Sequence, residues 1–155
     1  MTDFSDLLTP DSILANPAVT TRKALFQALG TAVGEQHGLD PRAVAEGLAA
    51  REKLGSTGFG GGIAIPHARV AGLDGIVGAV ARLEQPIDFA AVDDMPVDLV
   101  FMLVSPPDAG AAHLKTLARV SRALRDPGYV AKLRGAGSRD ALYALLTVAE
   151  ARDAA

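Results

Sequence analysis

Gly58-Phe59-Gly60-Gly61-Gly62-Ile63-Ala64-Ile65-Pro66-His67-Ala68-Arg69 is the stretch on which the reading of this chain turns. A glycine-rich loop runs into a short apolar segment, Pro66 stops it, and a histidine follows at once. The order predicts a strand over Ile63–Ile65 with His67 just past its end, beside backbone that carries no side chains to block an incoming anion. Sheet ends are where α/β proteins commonly place their sites. Neutral imidazole is a competent nucleophile near pH 7, because its ordinary pKa is about 6.5. If one ring nitrogen donates a hydrogen bond, the other is free to attack. The chain has three histidines and no cysteine, so His67 leads the candidates for covalent chemistry.

The loop fits neither common nucleotide cradle. No Gly-Lys-Ser/Thr closes it, and Ile63 stands where a dinucleotide fingerprint needs its third glycine. Two readings are left: a turn whose glycines allow positive φ, or a passage cleared for a partner's phosphoryl group to reach His67.

Upstream, Thr20 or Thr21 predicts the cap of a helix to about Gln36, with Leu25, Ala28, Leu29, Ala32 and Val33 on one face and Gly38 as its stop. Asp40-Pro41 starts a second helix to about Leu54. Its inward stripe is Val44, Leu48 and then Arg51. An arginine there either complements the helix C-terminus or aims a guanidinium at an anion near the glycine loop.

Downstream, Ile76–Leu83 and Val97–Val104 are apolar on both parities and predict strands covered on both faces. Pro86, Pro96 and Pro106-Pro107 punctuate the loops. A third helix is expected from Ala111 to Asp126, with His113, Leu117, Val120 and Leu124 inward. A short helix follows from Pro127 through Leu133. Ser138 then caps a last one burying Leu142, Leu145, Leu146 and Ala149, with a frayed tail after Glu150. His113 reads as a histidine closing the core, or as an imidazole near free helix N–H groups and an anion. His37 reads as ordinary surface.

Together these predict one α/β domain over residues 1–155, with its core at about 10–148. It is a single-domain sandwich: a small mixed parallel/antiparallel sheet flanked by helices on both faces. A hydrophobic content of 49% against 21% charged residues is globular, and a net charge of -3 argues against nucleic acid as the main partner. Without cysteine there are no disulfides, thiolate nucleophiles or zinc-thiolate sites. No His-x-x-x-His pair predicts a metal, and no Gly-x-Ser-x-Gly elbow predicts a hydrolase. The N-terminus does not read as a signal peptide and no apolar run is long enough to span a bilayer, so a cytoplasmic protein is expected.

Arg51-Glu52-Lys53-Leu54-Gly55-Ser56-Thr57-Gly58, then Gly60 and Gly62-Ile63-Ala64-Ile65-Pro66-His67, resembles the signature of the fructose/mannitol-type IIA domains of the bacterial phosphotransferase system. Phe89 with Asp93-Asp94-Met95-Pro96-Val97-Asp98-Leu99 resembles the segment leading into a strand of that family. His113-Leu114-Lys115-Thr116-Leu117 resembles its second histidine motif, and Lys23-Ala24-Leu25 lies where its first helix begins. The resemblance implies that His67 accepts a phosphoryl group from a small carrier of the HPr type. Arg51 would be the countercharge and His113 the second histidine. Ser56, Thr57, Gly58, Gly60 and Gly62 would form the loop past which the phosphoryl group approaches, with no metal and no cofactor. Two departures are visible: Gly61 where the family commonly has asparagine, and Ala68 where it often has glycine. The first removes a side-chain hydrogen bond expected at that position.

The wording Arg-Glu-Lys-Leu-Gly-Ser-Thr-Gly, with no membrane or IIB domain in the chain, is most like the nitrogen-regulatory branch, whose members regulate partner proteins, kinases or transporters among them, by phosphorylation state. The alternatives are a sugar-specific IIA subunit handing its phosphoryl group to a IIB protein, and a non-catalytic binding module on the same fold. The full set of Arg51, His67 and His113 argues against the latter.

Overall fold

Capping chemistry sets the helix boundaries. Thr21 accepts from the Ala24 N–H at 3.1 Å and opens α1 (Arg22–His37), which Gly38 ends in the left-handed conformation at φ 67. Asp40 caps α2 (Pro41–Lys53), with proline at the first position where no N–H is missed. The computed structural model describes residues 3–147. Its other elements are a 3₁₀ turn (Pro10–Ser12), β1 (Ile13–Ala15), β2 (Gly58–Gly60), β3 (Ile63–Ala64), β4 (His67–Arg69), β5 (Val77–Ile87) and β6 (Val97–Ser105). After these come α3 (Ala111–Leu124), α4 (Pro127–Arg134) and α5 (Arg139–Thr147).

The six strands form one mixed sheet in the order β1-β5-β6-β3-β2, with β4 also on β6. β5 and β6 are antiparallel, whereas β1 on β5 and β3 and β4 on β6 are parallel. β6 is central and apolar on both parities, as expected. Leu99, Phe101 and Leu103 join a core with Phe4, Val120, Leu133 and Leu142, under α3 to α5. Val100, Met102 and Val104 join Leu25, Leu29, Val44 and Leu48 under α1 and α2. Helices thus cover both faces of a single-domain α/β sandwich.

α1 and α2 touch at Gly30, where an added Cβ would lie 2.5 Å from the Pro41 carbonyl oxygen. Backbone cannot yield there as a side chain can. Gly30→Ala is therefore expected to lose about 2–3 kcal/mol through overpacking, read as a lower urea midpoint at an unchanged slope.

Several expectations are corrected. Residues 13–15, for which the sequence predicts no element, form an edge strand, because three residues are too few for any periodicity. Part of the glycine loop is itself β2, antiparallel to β3. Pro86 lies within β5 rather than in a loop. It sits where the register with β6 shifts between Arg82 and Ile87, so its missing N–H interrupts no ladder bond. α3 stops at Leu124 because Asp126 caps α4, its carboxylate accepting from Gly128 and Tyr129. His67 does not follow the end of the sheet: it opens β4, which resumes the line of β3 along β6 after a break at Ile65-Pro66. The Pro66 carbonyl still accepts from Leu103 at 2.9 Å, so the proline interrupts the line without ending it. In α5, Leu142 and Leu146 are buried and Leu145 is partly so. Ala149 and the tail after Glu150 lie outside the described residues.

Candidate functional site

Three segments converge at the free edge of β4. In register, His67 lies beside Leu103 and Arg69 beside Ser105, while Ala68 points the other way into the core under α1 and α2. Alternation along the strand therefore turns His67 toward the α3 side of the sheet. α2 packs against the opposite side of β4, close enough that a Cβ on Gly47 would lie 3.3 Å from the Ala68 methyl. Its last turn carries Arg51 to the edge.

Arg51 closes the end of its own helix and also reaches the imidazole of His67. One Nη donates to the Gly55 carbonyl just past the helix at 2.8 Å, and Nε donates to His67 Nε2 at 3.2 Å. His67 Nδ1 is 2.9 Å from the Ile65 carbonyl oxygen. A carbonyl can only accept, so Nδ1 carries the proton and Nε2 presents the lone pair. The question of which nitrogen is free, open from sequence, is answered by the backbone at the break before Pro66.

His113, three residues into the first turn of α3, is only 5% exposed and its ring centroid lies 5.6 Å from that of His67. It closes the core, as one of its two readings has it, and it also stands beside His67. Its Nδ1 lies 2.6 Å from the hydroxyl of Ser105, the fully buried last residue of β6. Sequence gave no signal for Ser105, which reads as the polar end of an apolar strand.

Burial is the main force on His67 and lowers its pKa; the hydrogen bond to Ile65 opposes this and the Arg51 guanidinium adds to it. Burial lowers the His113 pKa too, with Arg69 and then His67 adding to the effect. Both imidazoles are thus biased to the neutral form, and that of His67 lies beside the Arg51 guanidinium.

The loop hydroxyls engage elsewhere. Thr57 gives its N–H and hydroxyl to Glu52, whose carboxylate also takes a hydrogen bond from Arg22 at 3.2 Å. Ser56 donates to the Phe89 carbonyl and accepts from the Gly58 N–H. Glu52 is a residue the sequence reading passed over: a buried carboxylate fastening the loop to α1 and α2, which no periodicity could distinguish from a solvated charge. Gly60, Gly61 and Gly62 have φ of 111, 68 and 79, as a tight turn requires. The Gly61 N–H donates to Asp93 at 3.0 Å and its carbonyl accepts from Arg134. Backbone groups at Gly61 thus anchor this turn without an asparagine side chain. A cavity of about 780 Å³ lies instead between α1 and α2, lined by Phe26, Ala45 and Ala49 among others, and includes none of the three convergent residues. No described helix is long and apolar enough to cross a membrane.

The family model described as "Phosphoenolpyruvate-dependent sugar phosphotransferase system, EIIA 2" matches residues 6–148. The chain is 46% identical over 145 residues to a nitrogen regulatory protein of Bradyrhizobium diazoefficiens, covering 94% of this chain and 95% of that one. Among solved structures it is similar to nitrogen regulatory protein IIA-Ntr from Neisseria meningitidis, with a TM-score of 0.85 and 36% identity over 92% of this chain and 97% of that one. The fold also matches mannitol enzyme IIA of Escherichia coli, solved with phosphorylated mannitol enzyme IIB, at a TM-score of 0.73 and 21% identity, covering 90% and 96%. By sequence and by fold, the chain belongs to the EIIA 2 family of the phosphoenolpyruvate-dependent sugar phosphotransferase system.

Proposed function

We propose that this protein is a nitrogen-regulatory IIA-type phosphocarrier, taking a phosphoryl group on His67 from an HPr-like carrier and regulating partner proteins by its phosphorylation state. The observation that carries the reading is the imidazole of His67, with its proton fixed on Nδ1 by the Ile65 carbonyl and its Nε2 lone pair beside Arg51. In transfer, Nε2 attacks phosphorus and a P–N bond forms. The P–N bond to the carrier's histidine breaks, and its electron pair stays on the carrier's nitrogen. Positive charge appearing on the His67 ring is held through Nδ1–H by the Ile65 carbonyl. Arg51 releases Nε2 and turns its charge to the phosphoryl oxygens. Positioning and countercharge are most of what phosphoryl transfer needs. Phosphorylation places close to two negative charges on an exposed edge of the sheet, enough to switch a contact surface.

Incubation with the phosphorylated carrier should put an acid-labile phosphoryl group on Nε2 of His67, seen by ³¹P–¹⁵N correlation. Affinity capture with each phospho-state should then retain a kinase or a transporter. Retention of a IIB protein that removes the label would instead assign the sugar-uptake role.

The pH response has a definite sign. With its pKa lowered, His67 should titrate below the ordinary histidine value of about 6.5, measured by its ¹⁵N shifts. The nucleophile stays neutral further into acid than a free histidine would. Below about 6.5 the unfolded chain binds this proton more readily than the folded one, so acidification costs stability there and nothing is lost above it.

A further inference from the structure

We propose that Ser105 is a positioning residue: its hydroxyl fixes His113 as the Nε2–H tautomer, making that histidine a hydrogen-bond donor to the phosphoryl group on His67. The role rests on the phosphocarrier reading above, whereas the tautomer does not. Ser105 is fully buried at the end of β6, and its Oγ lies 2.6 Å from His113 Nδ1. Two assignments satisfy that distance. If Nδ1–H donated to Oγ, the serine proton would be left in the interior with no acceptor, since His113 is the one hydrogen-bond partner of that hydroxyl among the described residues. A buried hydroxyl without a partner is costly. If the hydroxyl donates to the Nδ1 lone pair, both groups are satisfied and the ring proton must sit on Nε2.

The second assignment also suits what His113 faces. A phosphoryl group offers only acceptors, and a lone pair turned toward it would repel it. With Nδ1 engaged by Ser105, Nε2 is the polar atom of His113 left for a group bound at His67, whose ring centroid is 5.6 Å away. Register places the serine for this task. Ser105 pairs with Arg69, two residues along β4 from His67, so serine and acceptor histidine share the α3 face of the sheet. His113 comes down onto that face from the first turn of α3. The two histidines are then complementary: His67 holds its proton away from the phosphoryl group, and His113 holds its proton toward it.

The test compares Ser105→Val with Ser105→Thr, two side chains of the same shape that differ in the hydroxyl, and uses Ser105→Ala should the branched pair fail to fold. Long-range ¹H–¹⁵N correlation on histidine-labelled protein reads the tautomer, and phosphorylated HPr-type carrier reads transfer. The expected result is Nε2–H His113 in wild type and Ser105→Thr, and a shift toward the Nδ1–H form in Ser105→Val or Ser105→Ala. The hydroxyl-free variants should transfer about 10-fold more slowly, as for loss of one oriented donor, with threonine restoring the rate. An Nδ1–H His113 in wild type, or an unchanged tautomer and rate without the hydroxyl, would overturn the role of Ser105. Failure of wild-type His67 to take label overturns the phosphocarrier reading itself, and with it His113 as donor to a phosphoryl group.

Discussion

His67→Ala should take no phosphoryl group from the phosphorylated carrier, against full labelling of the wild type, as read by mass spectrometry of the intact protein. The loss is expected to be complete rather than graded, because no other residue in the site presents a nitrogen lone pair. His113 has its Nδ1 engaged by Ser105 and lies within the core at 5% exposure. His37 is exposed at the far end of α1, beside Gly38. The substitution should leave the fold intact, since His67 is half-buried at a strand edge and alanine keeps the backbone pairing of β4 with β6. Label of equal amount in His67→Ala would end the assignment.

Arg51→Ala comes next in size. Removal of one preorganised charge from a transition state that gathers negative charge typically costs 10²–10³ in rate, and transfer should slow by about that factor. The acceptor stays in place, held through Nδ1 by Ile65, so labelling reaches completion given time. A second readout separates countercharge from scaffolding. Arg51 pushes the His67 pKa down, so its loss should move the His67 titration upward. Arg51→Lys keeps a charge but not the planar fork that reaches Gly55 and His67 together, and should recover the titration more fully than the rate. An unchanged rate in Arg51→Ala would remove the countercharge role.

Much of this was legible in the chain for identifiable reasons. Thr21, Asp40 and Ser138 each announce a helix by a local rule that tertiary packing did not override, and Pro127 announces another, though its cap at Asp126 reads as part of the helix before it. β6 shows itself by being apolar on both parities. Arg51 stood out because it occupies the inward stripe after Val44 and Leu48. What escaped notice depends on contacts remote in sequence. The hydroxyl of Ser105 has meaning only once α3 folds back over β6. The carboxylate of Glu52 looks solvated until Arg22, thirty positions earlier, meets it. The resumption of the strand after Pro66 is invisible in residues 63–69 alone, since it is β6 that supplies the pairing.

The break at Ile65-Pro66 and the two-sided approach to β4 make the candidate site a joint product of both helical layers. The guanidinium arrives with the helical layer on one face of the sheet and the second imidazole with the layer on the other. A chain that has assembled a single layer presents its acceptor without its cation or without its hydrogen-bond donor. On the proposed role, the rate at which the protein takes label would report how far both halves of the sandwich are in place, a half-built molecule being labelled slowly.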